Sequence, residues 1–162
     1  PAITFDEYGV PDPPSTIEAP LDLVWEYMTL NLRLKVPEDI KTLQDMVMYP
    51  VLTAIDWKMN NGEWHVGTNR FTEEVNIENI LYARDLVPDE NDYAVITLSR
   101  DSLKIPWGRS LAEWFKDNTY YFRARFVLMS VENNEPKLVF SPYSKTIAIG
   151  RGTVPPKQPA QK

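Results

Sequence analysis

The chain contains no cysteine. That absence removes disulfides, thiolate metal sites and cysteine nucleophiles together. Histidine occurs once, at His65. A Ser-His-Asp triad would have to use it, and a zinc site would lack the several nitrogen or sulfur ligands it requires. Glycine is scarce, at 6 of 162 residues, and neither a phosphate-cradling glycine loop nor a Gly-x-Ser-x-Gly elbow occurs. No apolar run approaches membrane-spanning length. Basic blocks are missing too: 17 Lys+Arg face 23 Asp+Glu, for a net charge of -6. A nucleic-acid binder needs a basic footprint to neutralise phosphates, so nucleic acid and anionic membrane surfaces are poor partners for this chain. Asn-x-Ser/Thr acceptors and the Arg-Gly-Asp tripeptide are also absent.

What is present is aromatic and apolar. Hydrophobic residues make up 43% and aromatics 12%, with 5 Trp, 8 Tyr and 6 Phe. Large rings suit half-buried pleated surfaces. The length allows one domain with a sizeable core. Proline-rich stretches flank it: Val10-Pro11-Asp12-Pro13-Pro14 before, and Val154-Pro155-Pro156-Lys157-Gln158-Pro159 after. Such segments behave as extended, semi-rigid spacers. The expected organisation is a lead-in over 1–14, a domain over 15–150 and a tail over 151–162. The chain opens Pro1-Ala2-Ile3, without Met or a signal peptide, and reads as a piece of a longer protein. A Cys-free, acidic, aromatic-rich β domain fits a bacterial extracellular or cell-surface setting.

Period-two patterns predict strands over Leu21–Trp25, Leu30–Val36, Thr53–Met59 and Tyr93–Leu98. Asn60-Asn61-Gly62 is a hairpin signal, with Glu63–Val66 as the returning strand. Thr119–Phe126 and Phe140–Ile149 read as a closing strand pair. Helices are predicted over Glu38–Met48, Asn76–Leu86 and Ser110–Lys116. Ser110 serves as N-cap of the last, with Glu113 three residues on.

The closing pair resembles the last strands of fibronectin type III domains. Tyr120 fits that family's corner tyrosine, with Trp114 where a Leu usually stands. Tyr120, Phe122, Ala124 and Phe126 would face the core; Tyr121, Arg123 and Arg125 would face out. Ser141-Pro142-Tyr143-Ser144 is similar to the family's opening of the last strand. The resemblance implies an all-β, immunoglobulin-like/fibronectin type III β-sandwich with short helical insertions. It places the excess over a plain module, of roughly 100 residues, at 38–50 and 67–92. It also implies a structural role for Trp57, Trp114, Tyr120 and Phe122.

Chemistry is weakly signalled. Catalytic, metal-binding and cofactor residues are expected to be none. Glu73-Glu74 and Asp89-Glu90-Asn91-Asp92 could pair carboxylates or, for the second run, hold calcium, but adjacent acids more commonly form a solvated turn. Trp64, Trp107, Arg109 and Tyr143 lie near predicted turns and are the candidate ligand-binding residues. Trp25, Trp57 and Trp114 are the rings expected in the core. The expected function is a non-catalytic structural or interaction module of a multidomain extracellular or cell-surface bacterial protein. Its partners would be neighbouring domains or other proteins. The alternatives are a carbohydrate-binding module of a secreted enzyme, a small hydrolase using His65 or two carboxylates, and a phage or virion structural domain.

Overall fold

A computed structural model describes residues 14–26, 29–46, 51–66, 80–82, 86–132 and 135–150. Eight strands and two helices occur among them: β1 (Leu23–Trp25), β2 (Asn31–Lys35), α1 (Glu38–Met46), β3 (Val51–Met59), β4 (Ile80–Tyr82), β5 (Tyr93–Thr97), α2 (Leu111–Asp117), β6 (Thr119–Glu132), β7 (Glu135–Phe140) and β8 (Ile147–Gly150). The strands form two antiparallel sheets. One has the order β1-β2-β5; the other has the order β4-β3-β6-β7, with β8 also paired to β6.

Alternation in sequence becomes burial in space. In β2, Leu32 and Leu34 are fully buried while Asn31, Arg33 and Lys35 are not. In β6, Tyr120, Phe122, Ala124 and Phe126 have no exposed surface. These rows share one core, where the Trp25 ring from the smaller sheet stacks on Phe122 of the larger at 5.4 Å. Phe115 of α2 meets the same Trp25 edge-on at 5.7 Å, closing the core at its end. β3 is buried on both faces: Val51, Ile55 and Trp57 join this core, and Leu52, Ala54 and Asp56 point to the outer face.

β6 is long enough to serve two partners on one edge. Its first residues pair with β8 and its last with β7. Between them Pro142, which has no N–H, interrupts the returning strand. Two serines repair the ladder. The Phe126 N–H donates to Ser141 Oγ at 2.8 Å, and the Ala124 N–H donates to Ser144 Oγ at 2.9 Å. The serine N–H groups donate back to the carbonyls of Phe126 and Ala124.

Four predicted elements differ. Phe140–Ile149, expected as one strand, is divided between the end of β7 and β8 by residues 141–146. Within the helix expected over Asn76–Leu86, Ile80–Tyr82 is an edge strand paired with Leu52–Ala54 and Leu86 lies outside regular structure, while residues 76–79 and 83–85 lie outside the described residues. A short apolar run has no periodicity that separates helix from strand. The open edge of β3 offers it backbone partners. Glu63–Val66 does not return as a strand; only His65 pairs, in a single bridge with Trp57. β1 begins at Leu23, leaving Leu21 56% exposed. The other helices form, and Ser110 caps α2 by accepting from the Glu113 N–H at 3.4 Å. Trp114, expected in the core, is only half-buried, with its indole N–H donating to Tyr120 at 2.9 Å.

Candidate functional site: an aromatic–cationic stripe and an exposed tryptophan loop

The outer face of the larger sheet carries a row whose order follows from register. Lys58 sits opposite Tyr121, Asp56 opposite Arg123, and Ala54 opposite Arg125. Opposed residues in an antiparallel pair share a face, so these side chains rise side by side. Trp64, beyond the Asn60-Asn61-Gly62 turn, and Tyr143, between the two repair serines, fold over the same face.

The result is a stack of alternating rings and cations. Lys58 Nζ lies 5.0 Å from the Tyr121 ring centre and 5.2 Å from that of Trp64. The Arg123 guanidinium carbon is 4.1 Å from Trp64 and 4.2 Å from Tyr143. That of Arg125 is 4.6 Å from Tyr143 and 4.2 Å from Phe140. Each such contact is worth about 0.5–2 kcal/mol, rising as water is excluded.

Asp56 is the keystone. It has no exposed surface, and its carboxylate accepts from Arg123 Nε at 3.0 Å. The Tyr143 hydroxyl bonds to the same carboxylate. Burial raises the Tyr143 phenol above its ordinary pKa, and the bond to Asp56 raises it further. A buried charge with one partner removed is strongly unfavourable, so Asp56, Arg123 and Tyr143 lock one another in place.

The second region is the loop between β5 and α2. Its backbone folds on itself: Leu103 N–H donates to the Ser99 carbonyl, Ile105 N–H to that of Arg100, and Arg109 N–H to that of Pro106. Arg100 Nη2 donates to the Pro106 carbonyl at 3.1 Å and also to that of Arg109. Leu103 and Ile105 are buried as two anchors. The Leu103 carbonyl accepts from the Tyr120 hydroxyl at 2.7 Å. Gly108, at φ +84, turns the tip where an L side chain would be strained. The consequence is Trp107, held at 96% exposure on a pinned loop. Beside it Arg109 lies over Trp114 at 5.4 Å and approaches Asp117 at 4.0 Å.

Of the four candidate ligand residues, Trp64 and Tyr143 therefore meet at one guanidinium, whereas Trp107 and Arg109 belong to a separate loop. The sequence reading missed Lys58, Asp56, Arg123 and Arg125 as members of a site. The outward parity of Arg123 and Arg125 was visible; their companions depend on the β3–β6 register.

The remaining candidates have structural employment. The His65 ring stacks on Trp57 at 4.1 Å. Asp89 accepts from the N–H groups of Asn91 and Tyr93 and from Arg33 at 2.8 Å, while Asp92 takes Lys41 at 2.8 Å. Those backbone bonds, chiefly from Tyr93, hold the Asp89 carboxyl below its ordinary range. Residues 89–92 are thus an acidic turn that braces β5. No group of three or more potential metal ligands is found among the described residues. No helix among the described residues is long and apolar enough to cross a membrane. Glu73 and Glu74 lie outside the described residues.

No protein-family model matches the chain, and no curated protein or solved structure matches it either.

Proposed function

We propose that the chain is a non-catalytic interaction module, built on a β-sandwich of fibronectin type III type with insertions, within a multidomain extracellular or cell-surface bacterial protein. Three features support the sandwich. β1, β2 and β5 form one sheet; β3 and β6, flanked by β4 and by β7 and β8, form the other, a division similar to that of immunoglobulin-like domains. Tyr120 stands at the start of β6 with its hydroxyl bonded to an upstream backbone carbonyl, the arrangement of a tyrosine corner. Ser141 and Ser144 hold the entry to the last strand.

The observation that carries the function is Trp107. Rigid aromatic anchors dominate binding energy at protein interfaces because they bury much area at little entropic cost. A pinned loop that projects one ring into water meets that description. A flat sugar platform would want neighbouring rings with open faces. Here Trp64 and Tyr143 have cations over their rings, which favours a protein partner over carbohydrate.

Photo-cross-linking from position 107 of the parent protein on intact cells tests the reading. A discrete protein adduct is expected from position 107 and not from Val87, which is 84% exposed but unlike a hot-spot residue. Equal labelling from both positions, or none from 107, would sink it.

A further inference from the structure

We infer that the aromatic–cationic stripe is a docking strip for an extended, acidic segment of a partner protein. The inference rests on reading the chain as an interaction module, but not on the Trp107 loop that supports that reading.

Charge comes first. The chain has a net charge of -6, yet among the described residues this face brings Lys58, Arg123 and Arg125 together around the buried Asp56. Glu63 and Lys145, exposed and next in sequence to Trp64 and Ser144, offset each other. The stripe is a local positive field on a negative molecule, a pattern that steers an oppositely charged partner to one place.

Spacing comes second. The three rungs Lys58/Tyr121, Asp56/Arg123 and Ala54/Arg125 follow one another at every second residue. That repeat is about 6.8 Å along a strand. An extended peptide with acids at alternate positions presents its carboxylates on one face at the same interval of about 6.8 Å.

Geometry comes third. A guanidinium lying over a ring keeps its N–H donors in its own plane, and Arg123 donates to Asp56 through Nε. Carboxylates are the acceptors that fit such a fork. Nucleobases and sugar rings would instead need the ring faces, over which the cations already lie. The stacked arrangement also holds the cations in position beforehand, which lowers the ordering cost of binding.

The test titrates a fluorescein-labelled peptide of alternating Glu and Ser into the intact chain and follows anisotropy at low and at about 150 mM salt. Binding that weakens with salt is expected. Lys58→Gln and Arg125→Gln should each weaken it roughly two- to fivefold, in keeping with about 0.5–1 kcal/mol per partly exposed charge pair. Lys58→Glu should abolish it, and because Lys58 lies at the end of the stack this variant spares the Asp56–Arg123 lock. Arg125→Lys should retain part of it. Trp107→Ala should leave it unchanged, which separates this strip from the loop. No binding by the wild-type chain, or binding that Lys58→Glu leaves intact, overturns the inference. So does a sulfated polysaccharide binding the stripe while the peptide does not.

Discussion

The stripe and the Trp107 loop use the same residue types to opposite ends. On the stripe every ring has a cation over it, every cation sits in a sheet register, and the row is anchored on a buried carboxylate. On the loop one ring stands in water while the backbone beneath it is tied by four carbonyl-directed bonds or more. The stripe spends its aromatics on mutual contact. The loop spends its backbone on keeping one aromatic free of contact. The difference teaches that exposure alone does not define a recognition surface here. A rigid platform with donors in its plane and a rigid tip with an open ring face are two separate ways to present binding groups, and each should fail differently when perturbed.

The largest effect is expected at the keystone. Asp56→Ala leaves Arg123 and Tyr143 without their buried partner and should lower stability by about 3–5 kcal/mol, read as a shift of the urea midpoint at constant slope. An effect below about 1 kcal/mol would mean that water or another group already serves Arg123, and that the stripe is not locked. Tyr120→Phe comes next. It strips a donor from the buried Leu103 carbonyl and an acceptor from the Trp114 indole, at about 1–3 kcal/mol. Because Leu103 anchors the loop, this variant should also speed amide exchange across residues 99–105, away from the stripe.

Gly108→Ala separates strain from space. No atom lies within 4 Å of an added Cβ, so the cost comes from φ +84 alone, about 1 kcal/mol. A smaller cost would mean that the tip relaxes and Trp107 is not rigidly presented. A smaller, pH-dependent effect is expected at the acidic turn. The Asp89 carboxyl is depressed in the folded state, so its contribution is fully present above the unfolded value of about 3.9 and is lost as pH falls through the lower folded value. Asp89→Asn should therefore narrow its stability gap to the wild type as pH is lowered through that window. A gap that stays constant would assign the effect to lost hydrogen-bond geometry and not to charge. Trp107→Ala closes the series, with stability unchanged within about 0.5 kcal/mol. A larger loss would show that the ring supports the loop and is not held free by it.

Much of the scaffold was legible because its signals are local. Leu32 and Leu34 alternate with polar neighbours, Ser110 precedes α2 with Glu113 at the right offset, and Tyr120 to Phe126 alternate over the first half of β6. The stretch around Ile80 was misread because three apolar residues carry no period of their own; the edge of β3 decided their state. The stripe was legible only in part. Trp64 and Tyr143 stood out as aromatics near turns, but Lys58, Asp56 and Arg125 gave no signal without a partner strand. Asp56 in particular sits amid an alternating run, where its burial cannot be read.

The sequence by itself determined which residues of each strand share a face, where the chain turns, and what chemistry is closed to a molecule with one histidine and no cysteine. Those properties follow from single residues and from a two-residue repeat, both written along the chain. Only the tertiary structure decided which faces meet. The register that sets Asp56 beside Arg123, 67 residues apart in sequence, and the fold-back that brings Trp64 and Tyr143 to the same guanidinium, are products of pairing between distant segments. Pairing is selected by burial of the whole core at once, and no local pattern encodes it.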